Sequence, residues 1–253
     1  MSGLLRFRAA ACACALASLL APSSAHAYRP FEGTDADVAD EGEFELELGP
    51  AHYQRNGGDK FLLVPSTVLN LGFAHRWELV VDYRNFIKLS GAATTPRLHA
   101  EEGDVFLKVL LREGSLQEKD GLSVAMEFGP LLPNYHGETG YGAQDNVITS
   151  YRTPELALHL NTSLAWSRAH QPELFSSLII EGPWEWKVRP VAEILIDTER
   201  KGPQAAAALF GAIYSHSDHL SFDAALRGAR VDGTPVQEIR AGFTWATGVW
   251  SVE

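Results

Sequence analysis

Four short stretches carry residue types able to do chemistry. His216-Ser217-Asp218-His219 sets two imidazoles beside a carboxylate, types that ligate zinc when they converge on one point. A polar turn accounts for the same four residues more simply. His159 and Ser163 pair a base with a hydroxyl, as nucleophilic catalysis requires. Four apart on an extended strand they share a face, but they stand too far apart along it for a direct hydrogen bond. No nucleophile elbow surrounds them. Asp35-Ala36-Asp37 could offer oxygens to calcium, and an acidic disordered segment explains it as well. Asp232-Gly233-Thr234 is a hairpin-turn signal rather than a phosphate loop. The chain therefore reads as no enzyme, with no catalytic residue, no metal and no cofactor.

The remaining polar residues are organised differently, in rows. Glu43, Glu45 and Glu47 alternate with Phe44, Leu46 and Leu48, so an extended backbone sends carboxylates to one side and apolar groups to the other. Glu78, Asp82 and Arg84 oppose Trp77, Leu79, Val81 and Tyr83. Asp104, Lys108 and Arg112 oppose Val105, Leu107, Val109 and Leu111. The same split recurs for Glu127, for Glu193 and Asp197, for Asp223 and Arg227, and for Glu238 and Arg240. Charges of both signs, two or four residues apart on one face, ask what kind of element holds them.

The first 27 residues bear on the answer. Arg6 and Arg8, the apolar run Ala9 to Ala21 and the small-x-small site Ala25-His26-Ala27 read as a secretory signal peptide cut after Ala27. Cys12 and Cys14 both lie in that leader, so the exported chain carries no disulfide and no thiol chemistry. The net charge of the 253-residue chain is −11, and loss of Arg6 and Arg8 deepens it. That balance excludes nucleic acid as a partner. After Ala27 no run of eighteen apolar residues occurs. An exported chain without a spanning helix still enters a membrane as a closed β-barrel.

The rest of the sequence has that rhythm. Period-two runs separated by turn signals predict strands over 43–55, 61–73, 77–89, 102–112, 121–132, 145–151, 155–168, 172–181, 186–198, 204–214, 219–231 and 236–246. Ala205 to Ala208 suits a helix by propensity, which makes the tenth strand the least secure by pattern alone. An even number of strands of about ten residues is the pattern of an antiparallel transmembrane β-barrel, all-β, with short periplasmic turns. Glu113 to Asp120 is longer than such a turn should be. Trp77, Tyr83, Phe86, Trp166, Trp184, Trp186, Tyr214, Trp245 and Trp250 near strand ends would form interfacial girdles. The domains expected are a leader over 1–27, an acidic N-terminal periplasmic lead or plug over 28–42, and an outer-membrane barrel over 43–253. In such a barrel the charged rows line the lumen and tune passage.

"RPFEGTDADVADEGEFELELG", "PSTVLNLGFAHRWELVVDY", "LALHLN", "VAEILID" and "DAALRGARVDG…EIRAGFTWA" resemble the proteobacterial, Gram-negative outer-membrane proteins of the MetA-pathway of phenol degradation family. The resemblance implies an outer-membrane β-barrel that passes small solutes, aromatic or hydrophobic ones among them. Barrels of this kind end on an aromatic residue that guides assembly. Here Trp250 or Trp245 must take that part, because the chain ends Ser251-Val252-Glu253. The function expected is a passive channel or transporter, with outer-membrane lipid, a small-molecule solute and the barrel-assembly machinery as partners. The alternatives are a non-conducting structural or periplasmic β-barrel and a barrel enzyme acting on lipid.

Overall fold

Alternation of side chains fixes which face of each strand is apolar, and the ladder fixes where its backbone bonds go. A computed structural model describes residues 29–89 and 98–250. The expected leader, most of the loop from Ser90 and the last three residues lie outside the described residues. Twelve antiparallel strands close on themselves: β1 (Glu43–Asn56), β2 (Asp59–Ala74), β3 (Trp77–Lys88), β4 (Leu98–Arg112), β5 (Ser123–Leu131), β6 (Gly142–Arg152), β7 (Ala157–Trp166), β8 (Pro172–Glu181), β9 (Val188–Glu199), β10 (Gln204–Ser217), β11 (Leu220–Val231) and β12 (Thr234–Gly248). Each strand pairs with its chain neighbours, and β1 meets β12 at the seam, Glu47 opposite Thr244 and Tyr53 opposite Ile239. Closure leaves no edge, so the backbone polar groups are paired within the wall, as a barrel in hydrocarbon requires.

The barrel is apolar on its outside. Phe210 is 68% exposed, Leu226 62% and Ile194 57%, while the alternate positions bury Glu47, Glu78, Lys108 and Glu193 inside to 2% exposure or less. A soluble barrel has the opposite arrangement. This one is a transmembrane barrel, with hydrocarbon as the solvent of its outer face.

Local chemistry explains the irregularities. Pro50 and Pro65 lack an N–H for the ladder, and each sits at a register shift, between Leu48 and Ala51 on β1 and between Leu63 and Ser66 on β2. Asp232 and Gly233 both have positive φ, +48° and +80°, as the tight β11–β12 hairpin needs. The alanine run is strand, Ala206 lying between Ile196 and Arg230 and Ala208 between Ile194 and Gly228. Two ladder partners outweigh a helical propensity of a few tenths of a kcal/mol per residue.

The long connection after β4 folds inward. A single 3-10 turn (Ser115–Gln117) carries Leu116 into a small apolar cluster with Ala36, Ala125 and Ile148. Arg152 on β6 clamps it, its backbone N–H donating to Ser115 Oγ at 2.8 Å and its guanidinium to the Leu116 carbonyl at 2.8 Å. The segment lies at the barrel end that also holds the start of β1. Trp184 behaves likewise: it lies beneath Arg189 and Arg152, whose guanidinium carbons stand 4.3 and 5.0 Å from the ring centre. It caps the lumen, whereas Trp77, Trp166, Trp186, Trp245 and Trp250 are exposed as girdle residues are.

The inside-out arrangement predicts a one-sided sensitivity. Leu226→Arg, in the middle of the outer face of β11, should destabilise the barrel in lipid by about 2–4 kcal/mol. Urea titration of refolding into vesicles measures it, and a change under 0.5 kcal/mol would contradict the assignment of that face to hydrocarbon.

Candidate functional site

The inner wall follows from parity. Glu43, Glu45 and Glu47 on β1, Glu78 on β3, Lys108 on β4, Glu193 on β9, Asp223 on β11, and Glu238 and Arg240 on β12 are all buried inside. Asp82 and Arg84 on β3, Asp104 on β4, Glu127 on β5, Asp197 on β9 and Arg227 on β11 share that face and are partly buried. Arg112 differs. A register shift between Leu110 and Arg112 ends the alternation of β4, leaving Arg112 exposed at the strand end near Gly121. Within the lumen, register places Lys108 between Glu78 and Glu127.

Two buried networks organise the wall. Glu238 is the hub of the first. His52 Nε2 lies 3.0 Å from its Oε2, Gln54 donates at 3.1 Å, Arg240 Nε at 3.0 Å, and Arg227 donates as well. The second runs Ser150–His159–Glu181–Arg189: Ser150 Oγ to His159 Nδ1 is 2.8 Å, His159 Nε2 to Glu181 Oε1 is 3.1 Å, and Arg189 Nε donates to Glu181 Oε2 at 2.6 Å. His159 thus partners Ser150 across the β6–β7 ladder, not Ser163 on its own strand. The sequence shows the residue types but not that cross-strand pairing. The order serine, histidine, carboxylate is that of a proton relay. However, Ser150 Oγ accepts the Ala36 N–H at 2.9 Å. That bond holds the oxygen near the plane of the peptide, not above its carbonyl carbon, so the serine anchors rather than attacks. The other histidines of interest lie at a barrel rim, where His216 stands among the rings of Tyr214 and Phe222.

The occupant of the lumen is residues 29–39, which follow no regular secondary structure. Arg29 Nε donates to Asp223 at 3.3 Å. The Glu32 carboxylate sits between Arg84, at 3.1 Å, and Arg240. Glu193 accepts two successive backbone N–H groups, from Glu32 at 2.9 Å and Gly33 at 2.8 Å. Asn161 pairs with both backbone groups of Thr34, accepting at 3.1 Å and donating at 2.8 Å. Lys108 reaches Thr34 Oγ1 at 3.4 Å, Glu78 accepts the Ala39 N–H at 2.5 Å, and Arg240 Nη1 donates to the Pro30 carbonyl at 3.1 Å. These partners come from β3, β4, β6, β7, β9, β11 and β12, so the segment crosses the lumen from wall to wall.

Glycines on the wall make room for it. A Cβ on Gly49 would lie 2.7 Å from both terminal nitrogens of Arg29, and one on Gly242 2.8 Å from its guanidinium carbon. A Cβ on Gly72 would stand 2.7 Å from the Asp40 carbonyl carbon. Isolated glycines in strands signal close approach of another chain segment. That signal was present in the sequence, as was the charge of Arg29 and Glu32, but nothing local says where they dock. Beside the segment a polar cavity of about 390 Å³ remains, walled by Glu47, Glu78, Asp82, Arg84, Glu127 and Arg168 among others.

Burial alone would raise the Glu32 carboxyl, but Arg240, Arg84 and Arg227 hold it well below the usual carboxylate range. A group whose pKa is lowered on docking stabilises the docked state above its free value and loses that contribution only as pH falls through the lowered one.

No family model matches the chain, and no curated protein does. Solved structures do. A KdgM porin superposes with a TM-score of 0.51 at 10% identity, covering 79% of this chain and 98% of that one. A KdgM porin in complex with disordered oligogalacturonate gives 0.50 at 11% identity, with the same coverage. At such identities the likeness is one of fold. The shared fold is the closed antiparallel β-barrel, here of twelve strands.

Glu32→Gln should loosen the docked segment at pH 7 by about 1.5–3 kcal/mol, the range for hydrogen bonds to charged groups. Hydrogen exchange of the amides of residues 32–39, corrected for intrinsic rate, reads it. The gap between wild type and variant should persist from pH 7 through 4.5, the ordinary glutamate value, and close only below it. A gap that closes between pH 6 and 4.5 would overturn the assigned ion pairing.

Proposed function

We propose that the protein is an outer-membrane channel for small solutes whose lumen is held shut by its own N-terminal segment. The carrying observation is that the polar lumen is crossed by a non-strand segment bound through side-chain hydrogen bonds and ion pairs. Such contacts can be exchanged for water without breaking any part of the wall ladder. Export follows from the leader cut after Ala27, and insertion relies on the barrel-assembly machinery. Membership of the MetA-pathway of phenol degradation family rests on the sequence stretches that resemble it.

The lining supports small hydrophilic or phenol-like solutes. Charged groups dominate the cavity wall, and Phe31, Phe106 and Phe175 supply flat apolar surface among them. Carboxylates outnumber bases on the inner rows, so an open lumen favours cations. The role is passage, not catalysis. The competing reading is a closed structural barrel, favoured by the breadth of contact between segment and wall.

Gly33 offers the lever that separates the two. A Cβ there would stand 2.9 Å from Asn161 Nδ2, so the larger side chain of Gly33→Leu should push the segment off β7 and unseat it. In planar bilayers the wild type should show rare openings and Gly33→Leu frequent, cation-selective steps. A folded Gly33→Leu barrel that never conducts at any voltage would leave the structural reading standing.

A further inference from the structure

The wall grips its occupant chiefly by the main chain. One carboxylate, Glu193, spans two consecutive N–H groups. One side-chain amide, Asn161, pairs with the N–H and C=O of a single residue, as an adjacent strand would, and Asn146 Nδ2 orients it at 3.1 Å. Ser150, Glu78 and Arg240 take three more main-chain groups. None of these bonds depends on the identity of the side chain bound. Without an occupant, these side chains would need water or another ligand in place of the peptide groups they now hold.

Lys108 on Thr34, Gln117 on Asp37 and the Ala36 cluster add side-chain contacts, but the sharpest side-chain reading falls at three places. The Arg29 guanidinium lies beside Asp223 in the slot left by Gly49 and Gly242. Glu32 lies between Arg84 and Arg240. Gly33 is required by its closeness to Asn161. The pattern read is a basic residue, two unread positions, an acidic residue and a glycine.

We propose that the lumen is a binding site for extended peptides of this chemistry, and that the N-terminal segment is its tethered resident ligand. A peptide supplied from outside occupies the same groups when the resident is displaced. Tethering gives the resident a millimolar effective concentration, which is why free peptide competes poorly with it in the wild type. The inference names a class of ligand for the proposed channel, and it rests on the channel reading only where conductance is the readout.

The test uses full-length protein in detergent micelles, with folding checked by the shift in electrophoretic mobility on heating. A fluorescent synthetic peptide of residues 29–40 is titrated against wild type and Gly33→Leu. Saturable binding to the variant, at least tenfold tighter than to wild type, is expected. Replacing the peptide's own glycine by leucine should weaken binding at least tenfold, and reversing its sequence should do the same. Glu32→Arg, which sets a third guanidinium between Arg84 and Arg240, displaces the resident by a second route should Gly33→Leu misfold. Equal binding of the native and reversed peptides, or no binding to a folded variant, overturns the proposal. Conductance steps that the peptide neither blocks nor shortens also overturn it while sparing the channel. Peptide binding to a barrel that never conducts sinks the channel and supports the site.

Discussion

Charge in a closed, narrow ring is the constraint on which the rest depends. Alternation that turns apolar groups to hydrocarbon must turn the other set inward, and in this chain that set is ionic. Twelve strands give an interior between the filled eight-stranded barrels and the open porins of sixteen or more. Buried ions there need partners, because an unpaired one costs several kcal/mol. Part of the answer is internal to the wall, as with Glu238 among His52, Arg227 and Arg240. Another part is supplied by the N-terminal segment, which brings a carboxylate to Arg84 and Arg240 and backbone donors to Glu193 and Glu78.

The wall and its occupant therefore solve each other's problem. Residues 29–39 have too few large apolar groups to fold alone. The lumen gives their backbone the partners that a helix or sheet would have given. In return they satisfy acceptors that would otherwise need water. This mutual satisfaction is polar throughout except for the small cluster of Ala36 with Leu116, Ala125 and Ile148. Polar contacts exchange readily for water where apolar burial does not, and that difference suits the release proposed above.

The strands were legible because period two is a local signal and lipid makes it strict. Even the alanine run of β10 obeyed it, since both neighbours offered ladder partners. Legibility failed where a local rule was interrupted. Arg112 left its row because a register shift ended the alternation two residues before it. Trp184, near a strand end like the girdle aromatics, turned inward toward two arginines. The connection from Glu113 was visibly too long, and its length went into the 3-10 turn at the barrel end. The path of the N-terminal segment has no period at all. Its contacts are long-range, many joining residues more than one hundred positions apart, as Thr34 with Asn161 and Arg29 with Asp223. A plug was one of two readings open for 28–42, and the inner-face glycines fit it.

The socket of Arg29 is assembled from Gly49 on β1, Gly242 on β12 and Asp223 on β11. Those strands come together only at the seam, where the first and last strands meet. A barrel still open along that line lacks this socket, so the seating of Arg29 records that the first and last strands have joined.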